Sequence, residues 1–246
     1  MVCTRTVRAV VLHRLTARRL AVLDGVAARV PYGDGVRVAV DGVDGAGKTV
    51  FADQLADVLR AKGREVVRVS ADGFHHVRAV RWQRGRDSAE GFLRSSYDLV
   101  ALRERVLDPL GPGGDRLYRT ASHDLATDER IDPPARRRTR SSSWTGSSCT
   151  GIFLQRDELV GCWELSVFLR VSFAVSVARM AARDGGSPDP DHPSAARYVD
   201  GQRLYLAACS PPDRADLVVD HDDLDAPVLR TGGSQRAAGS APSPGS

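Results

Sequence analysis

The chain has 246 residues, 42% of them hydrophobic, which is enough for one substantial core and short for two large domains. Basic residues outnumber acidic ones by only 35 to 31, so the charge does not indicate a nucleic-acid surface. The four cysteines form no C-x-x-C pair, and no apolar run approaches the length of a membrane span. We therefore expect a cytoplasmic protein whose partners are neither nucleic acid nor membrane; composition gives no oligomeric state.

The first third of the chain alternates between helical and strand periodicity. The predicted elements are a helix within Thr16 to Val30, a strand at Val36 to Val40, a helix at Val50 to Ala61 and a strand at Glu65 to Ser70. Glycine and proline separate them, as at Pro31 to Gly35. We assign residues 1–35 to an N-terminal helix and turn and residues 36–230 to the main domain.

The rest of the chain continues the alternation. The predicted elements are a helix at Ser95 to Leu107, a strand at Leu165 to Val171, a helix at Phe173 to Arg183, a loop at Asp184 to Pro193, a helix at Ser194 to Cys209 and a last strand at Ala215 to Val219. This order predicts an α/β fold, a parallel sheet with helices on both faces. The Gly-, Ser-, Ala- and Pro-rich tail, residues 231–246, is predicted to be disordered.

A glycine-rich segment joins the first predicted strand to the next helix. It matches the phosphate-binding pattern G-x-x-x-x-G-K-[ST] at Gly42, Val43, Asp44, Gly45, Ala46, Gly47, Lys48 and Thr49. Small residues let successive backbone N–H groups point at phosphate oxygens, and the helix N-terminus adds a partial positive charge. Lys48 is predicted to reach the β- and γ-phosphates of ATP, and Thr49 to offer its hydroxyl to Mg²⁺. The segment predicts a P-loop nucleotide site.

An acidic residue follows the second predicted strand, in the sequence Ser70-Ala71-Asp72-Gly73-Phe74-His75. The carboxyl ends of parallel strands form the ligand-binding edge of such sheets. A hydroxyl acceptor needs a carboxylate to take or orient its proton, and Asp72 is the candidate. The alternative is that Asp72 only caps a turn before Gly73.

The chain resembles the uridine kinase and phosphoribulokinase family over about Val36 to Asp220. The resemblance is carried by the P-loop, Asp72 to His75, Tyr118 with His123, and the Arg179/Arg183 helix followed by Ala215 to Val219. The resemblance implies a nucleoside-monophosphate-kinase-like fold and transfer of the ATP γ-phosphate to a sugar hydroxyl, with Asp72 as base. It also implies that Phe74 and His75 lie on the acceptor side and that Tyr118 and His123 contact a nucleoside. A packed tyrosine and an exposed histidine are the alternative for that pair.

Arginines flank the predicted loop at Asp184 to Pro193. Arg179 and Arg183 lie four residues apart on one helix face, and we expect Arg179 to bind ATP and Arg183 to act in catalysis as parts of a lid. A solvated basic face is the alternative. A second arginine group, Arg78, Arg81, Arg84 and Arg86, is interpreted either as a contact for an anionic substrate or as an exposed loop.

Residues 136–149 have no hydrophobic period, although the family carries an apolar strand ending in an acid and a glycine at about this position. If the serines at 141 to 143 use TCN codons, a one-base shift of frame spells four apolar residues and an aspartate, followed by a glycine when the Thr145 codon ends in G. We hypothesise a local frameshift that removes a central strand and a carboxylate; an ordinary Arg/Ser-rich insertion is the alternative. Serines encoded by AGC or AGT would contradict the frameshift.

The sequence thus predicts an ATP- and Mg²⁺-dependent phosphotransferase acting on a small-molecule hydroxyl, most simply a nucleoside such as uridine. Two alternatives remain open. One is a kinase for another acceptor, such as pantothenate or a sugar phosphate. The other is a nucleotide-binding protein inactivated by the altered segment.

Overall fold

The computed structural model describes residues 15–138 and 145–233. Its strands are β1 (Asp34–Gly42), β2 (Glu65–Ser70), β3 (Leu117–Tyr118), β4 (His123–Asp124), β5 (Glu129–Arg130), β6 (Arg136–Arg137), β7 (Thr145–Thr150), β8 (Leu165–Arg170), β9 (Leu217–Asp220) and β10 (Val228–Thr231). Six of them form one sheet in the order β10-β9-β8-β1-β7-β2, in which β10 alone is antiparallel to its neighbour. The predicted parallel α/β sheet is confirmed.

Helices cover both faces of this sheet. They are α1 (Ala17–Ala27), α2 (Lys48–Ala61), α3 (Arg78–Arg81), α4 (Ala89–Ser95), α5 (Leu99–Leu102), α6 (Asp108–Leu110), α7 (Phe173–Asp184), α8 (Pro193–Cys209) and α9 (Pro211–Arg214), with a π-helical turn at Arg103–Leu107. One core packs α1 and α2 against the sheet, and the other packs α4 and α8 against its opposite face. In the described parts of the chain, no helix is long and apolar enough to cross a membrane.

The predicted helix at Ser95 to Leu107 is interrupted. Residues 96–98 leave the helix to pair with residues 74–76: His76 donates its N–H to the carbonyl of Ser96 at 3.0 Å, and Asp98 donates to Phe74 at 2.7 Å. Helical periodicity could not reveal this pairing, because it depends on a segment about twenty residues away. It pairs Tyr97 with His75 in an isolated antiparallel bridge, in the segment that follows β2.

The central strand β7 contradicts the expectation that the sheet lacks a strand here. Residues Thr145–Thr150 lie between β1 and β2 and pair in parallel with both. The expectation was wrong because backbone pairing on two edges can hold a strand whose side chains are small and polar. Ser148, Cys149 and Thr150 are each 3% exposed or less.

The acid expected at the end of this strand is absent from the sequence, where Thr150 ends β7. The hydroxyl of Thr150 donates to the carbonyl of Val69 at 3.4 Å, and the Oγ of Ser148 is buried with no partner among the described residues. Residues 139–144 of the hypothesised frameshift lie outside the described residues. The frameshift itself stays a prediction for DNA sequencing.

The C-terminal part adds an unpredicted element. After β9, the chain turns back and forms β10, which pairs antiparallel with β9 and packs against α1. The strand predicted at Ala215 to Val219 is therefore not the last. Thr231, the first residue of the predicted tail, ends β10, and residues 234–246 lie outside the described residues.

Candidate active site

A cleft of about 1090 Å³ opens at the carboxyl ends of β1 and β2. The phosphate-binding loop forms one wall, and the segment after β2 together with α4 and the start of α8 forms the other. Charged residues on its lining include Asp44, Lys48, Asp72, Arg81, Arg86, Arg183 and Arg197. The structure thus brings together the two motifs that the sequence placed at strand ends.

The loop conformation depends on two glycines. Gly45 has φ +73°, and a Cβ there would lie 2.2 Å from the carbonyl oxygen of Ser176 in α7. Gly47, with φ +83°, forms the N-cap of α2. Only glycine adopts both backbone conformations without strain, and only glycine fits against α7 at position 45. The loop is therefore held by packing as well as by its own sequence.

Lys48 lies inside the loop and donates from Nζ to the carbonyl of Val43 at 2.8 Å. Burial lowers the pKa of Lys48, while the carboxylates of Asp44, Asp41 and Asp72 act in the opposite direction. Burial also raises the pKa of Asp44, against the influence of Lys48. Several acidic groups therefore surround the single lysine of the loop. Thr49 follows it on the cleft wall and is exposed.

Asp72 is exposed to the cleft and oriented by two hydroxyls. Ser70 donates to Oδ2 at 3.0 Å and Tyr97 donates to Oδ1 at 3.1 Å. Ser70 also accepts from the N–H of Asp72, so the carboxylate sits on a short 3₁₀ turn directly after β2. A carboxylate fixed this way can accept a proton from a hydroxyl in the cleft.

His221 is buried beneath the phosphate loop and supports it. No sequence pattern predicted this role for His221. Its Nδ1 donates to the carbonyl of Ala46 at 2.8 Å, so Nε2 can accept from Arg19 at 3.1 Å. Burial and the charges of Arg19 and Arg179 lower the pKa of His221 to about 4. The neutral imidazole therefore links α1 to the phosphate loop.

A second buried support is Asp41, at the end of β1. It accepts from the N–H of Gly42 at 2.7 Å and from the hydroxyl of Tyr205 at 2.5 Å. Burial raises the pKa of Asp41 to about 6, although these hydrogen bonds favour its charged form. Its partner Tyr205 lies 164 residues away, so no local sequence pattern predicts this contact.

The two predicted lid arginines face different surroundings. Arg183 lines the cleft, pairs with Asp184, and is near enough to Asp44 and Asp72 to interact with their charges. Arg179 donates from Nη2 to the carbonyl of His221 at 3.1 Å and to that of Asp222 at 2.6 Å, and it does not line the cleft. Of these two arginines, the structure brings only Arg183 to the cleft lined by the phosphate loop and Asp72.

Of the residues expected on the acceptor side, His75 lies in the cleft, where it stacks on Tyr97 with ring centroids 4.3 Å apart. Phe74 is fully buried in the core, and Tyr118 is 8% exposed. His123 lines a separate cavity of about 260 Å³ on the far side of His75. The structure therefore separates Tyr118 and His123 from the cleft that holds Asp72.

Solved structures share this architecture. A protein titled a possible uridine kinase from Bacillus stearothermophilus has a TM-score of 0.63 at 21% identity, covering 82% of this chain and 97% of its own. A candidate fructose transport system kinase from Silicibacter sp. TM1040 has a TM-score of 0.62 at 25% identity, covering 81% and 98%. Phosphoribulokinase from Rhodobacter sphaeroides has a TM-score of 0.52 at 15% identity, covering 83% of each chain.

The chain has the fold of the uridine kinase and phosphoribulokinase family. The fold that the sequence resemblance implies is thereby confirmed. No family model matches the sequence, and no curated protein does.

Proposed function

We propose that the protein transfers the γ-phosphate of ATP to a hydroxyl of a small molecule. The observation that carries this proposal is that the phosphate loop, including Lys48, and Asp72 line the same cleft. Lys48 would hold the phosphates, Asp72 would accept the hydroxyl proton, and Arg183 would offset charge on the transferring group. Binding on opposite walls of one cleft would bring both substrates together.

Magnesium fits the donors present. Mg²⁺ prefers oxygen ligands and is commonly held by phosphates, waters and only one or two protein groups. The hydroxyl of Thr49 provides such an oxygen on the cleft wall. Among the described residues no cluster of three or more acids, histidines or cysteines could hold a metal alone, so the nucleotide would have to bring the ion. Bound Mg²⁺ would neutralise phosphate charge.

A nucleoside such as uridine remains the finer proposal for the acceptor. Trp82, Tyr97 and Tyr198 supply aromatic surface for a base on the cleft wall. Tyr118 gives no support, since it is buried in the core. Arg81 and Arg86 on the same wall favour the second candidate, an acceptor with an anionic group, such as a sugar phosphate or pantothenate.

The test is an acceptor screen that measures ADP release with Mg²⁺-ATP and nucleosides, sugar phosphates or pantothenate. Asp72→Asn should lower kcat by roughly 10²- to 10⁴-fold for the acceptor that is turned over and leave ATP affinity nearly unchanged. Asp53→Asn, which alters an exposed carboxylate on α2, is the control. ATP binding without turnover of any acceptor would favour the non-catalytic alternative.

A further inference from the structure

Gln202 and Asp44 form a reciprocal pair between helix α8 and the phosphate loop. The N–H of Asp44 donates to Oε1 of Gln202 at 3.2 Å, and Nε2 of Gln202 donates to Oδ2 of Asp44 at 2.8 Å. Gln202 is 3% exposed and makes no use of its amide outside this pair in the described structure. Both of its polar atoms are therefore committed to one loop residue.

This pairing controls the position of a negative charge near the proposed phosphate site. Asp44 places a carboxylate within a loop that would bind phosphate, and like charges at close range repel. Gln202 supplies a neutral donor that fixes the Asp44 carboxylate in one orientation, while its oxygen fixes the adjacent backbone N–H. An acidic or apolar residue at position 202 could not perform both tasks.

Helix α8 has a second attachment one turn further on. Tyr205, three residues after Gln202 and so on the same face, donates to Asp41 and accepts from the N–H of Gln155 at 2.8 Å. Gly201, beside Gln202, packs closely on α4, where a Cβ would lie 2.7 Å from the ring of Phe92. These contacts fix the position of α8 relative to the phosphate loop.

We propose that Gln202 is a positioning residue for the nucleotide phosphates, acting through Asp44 and not by touching the nucleotide. The proposal rests on nucleotide binding by the phosphate loop. Its central prediction concerns ATP affinity, which is measurable by calorimetry whether or not an acceptor is known.

Q202E is the main variant. It should weaken ATP binding at pH 8 by about tenfold or more, because two carboxylates would then face each other beside the phosphates. Adenosine affinity, which involves no phosphate, should stay unchanged. The double variant D44N/Q202E inverts the pair, since the asparagine amide introduced in the loop can donate to the carboxylate introduced on α8. It should recover most of the lost ATP affinity.

The melting temperature of each variant separates this role from a general structural one. If Q202E fails to fold, Q202M provides the test. Methionine keeps the side-chain volume and removes both hydrogen bonds, so ATP binding should weaken several-fold while adenosine binding stays unchanged. Parent protein that binds no ATP would refute the proposed function. Parent-like ATP affinity in Q202E and Q202M, or no recovery in D44N/Q202E, would overturn the role of Gln202 alone.

Discussion

The two walls of the cleft are built differently. The phosphate-loop wall is supported from beneath by buried polar groups, with His221 bonded to Ala46, Tyr205 to Asp41 and Gln202 to Asp44. The opposite wall carries exposed groups such as Asp72 and Arg86. Changes to these supporting residues disturb a buried partner, whereas changes to the exposed groups of the opposite wall mainly alter what the cleft can bind.

This difference agrees with the chemistry proposed for each wall. Nucleotide phosphates are the same for every acceptor, so the surface that holds them can be rigid. An acceptor site changes with its substrate, and exposed side chains on a turn can be exchanged at small cost in stability. Variants on the two walls should therefore differ in whether they lose stability or activity.

The largest effect is expected from Gly45→Ala on the phosphate-loop wall. Its Cβ would lie 2.2 Å from the carbonyl of Ser176, so the loop or α7 must move. We expect ATP affinity to fall by about 100-fold and unfolding free energy to fall by roughly 2–4 kcal/mol. Gly63→Ala is the matched control, because Gly63 has φ +80° with nothing within 4 Å. Equal losses of unfolding free energy in both variants would show that backbone strain, and not packing on α7, is responsible.

The two walls also differ in how much of each could be predicted from the sequence. The glycines, Lys48 and Asp72 were predicted because their spacing lies within short segments. The pairing of Tyr97 with Asp72 and of Gln202 with Asp44 joins segments 25 and 158 residues apart, and no local pattern signals it. Strand β7 was missed for another reason: two flanking strands fix its backbone, so its side chains need not be apolar.

The next effect concerns stability between pH 4 and pH 6.5. The pKa of Asp41 is raised to about 6, so its stabilising contribution is complete below the ordinary pKa near 4 and is lost as pH rises through 6. The pKa of His221 is lowered to about 4, so its contribution is complete above the ordinary pKa of 6.5 and is lost as pH falls through 4. The two groups oppose each other.

Each pKa shift corresponds to roughly 3 kcal/mol. Removing one group should therefore leave the unfolding free energy with the pH dependence that the other group causes. His221→Asn, which can still donate to Ala46, should make the unfolding free energy fall as pH rises from 4 to 6. Asp41→Asn should make it rise. Urea titrations of both variants and the parent across this range measure the slopes, and parallel curves for all three would contradict the assignment.

A smaller effect separates the two lid arginines. Arg183→Ala should lower kcat about tenfold without a change in melting temperature, since Arg183 lines the cleft and its ion-pair partner among the described residues, Asp184, is exposed. Arg179→Ala should lower the melting temperature, because it leaves the carbonyls of His221 and Asp222 without a donor. If Arg179→Ala lowered kcat and Arg183→Ala lowered only the melting temperature, Arg179 would be the residue that contacts the nucleotide.

The smallest effect is expected from Tyr97→Phe on the acceptor wall. It removes the hydroxyl that donates to Asp72 at 3.1 Å and leaves the ring stacked on His75. Since Ser70 still orients the carboxylate, we expect kcat to fall about fivefold, the size of one ordinary hydrogen bond, with the KM for ATP unchanged. Tyr198→Phe, in the same cleft, should change kcat less. An equal loss in both variants would mean that hydroxyls in the cleft bind the acceptor and that Tyr97 has no special role in orienting the base.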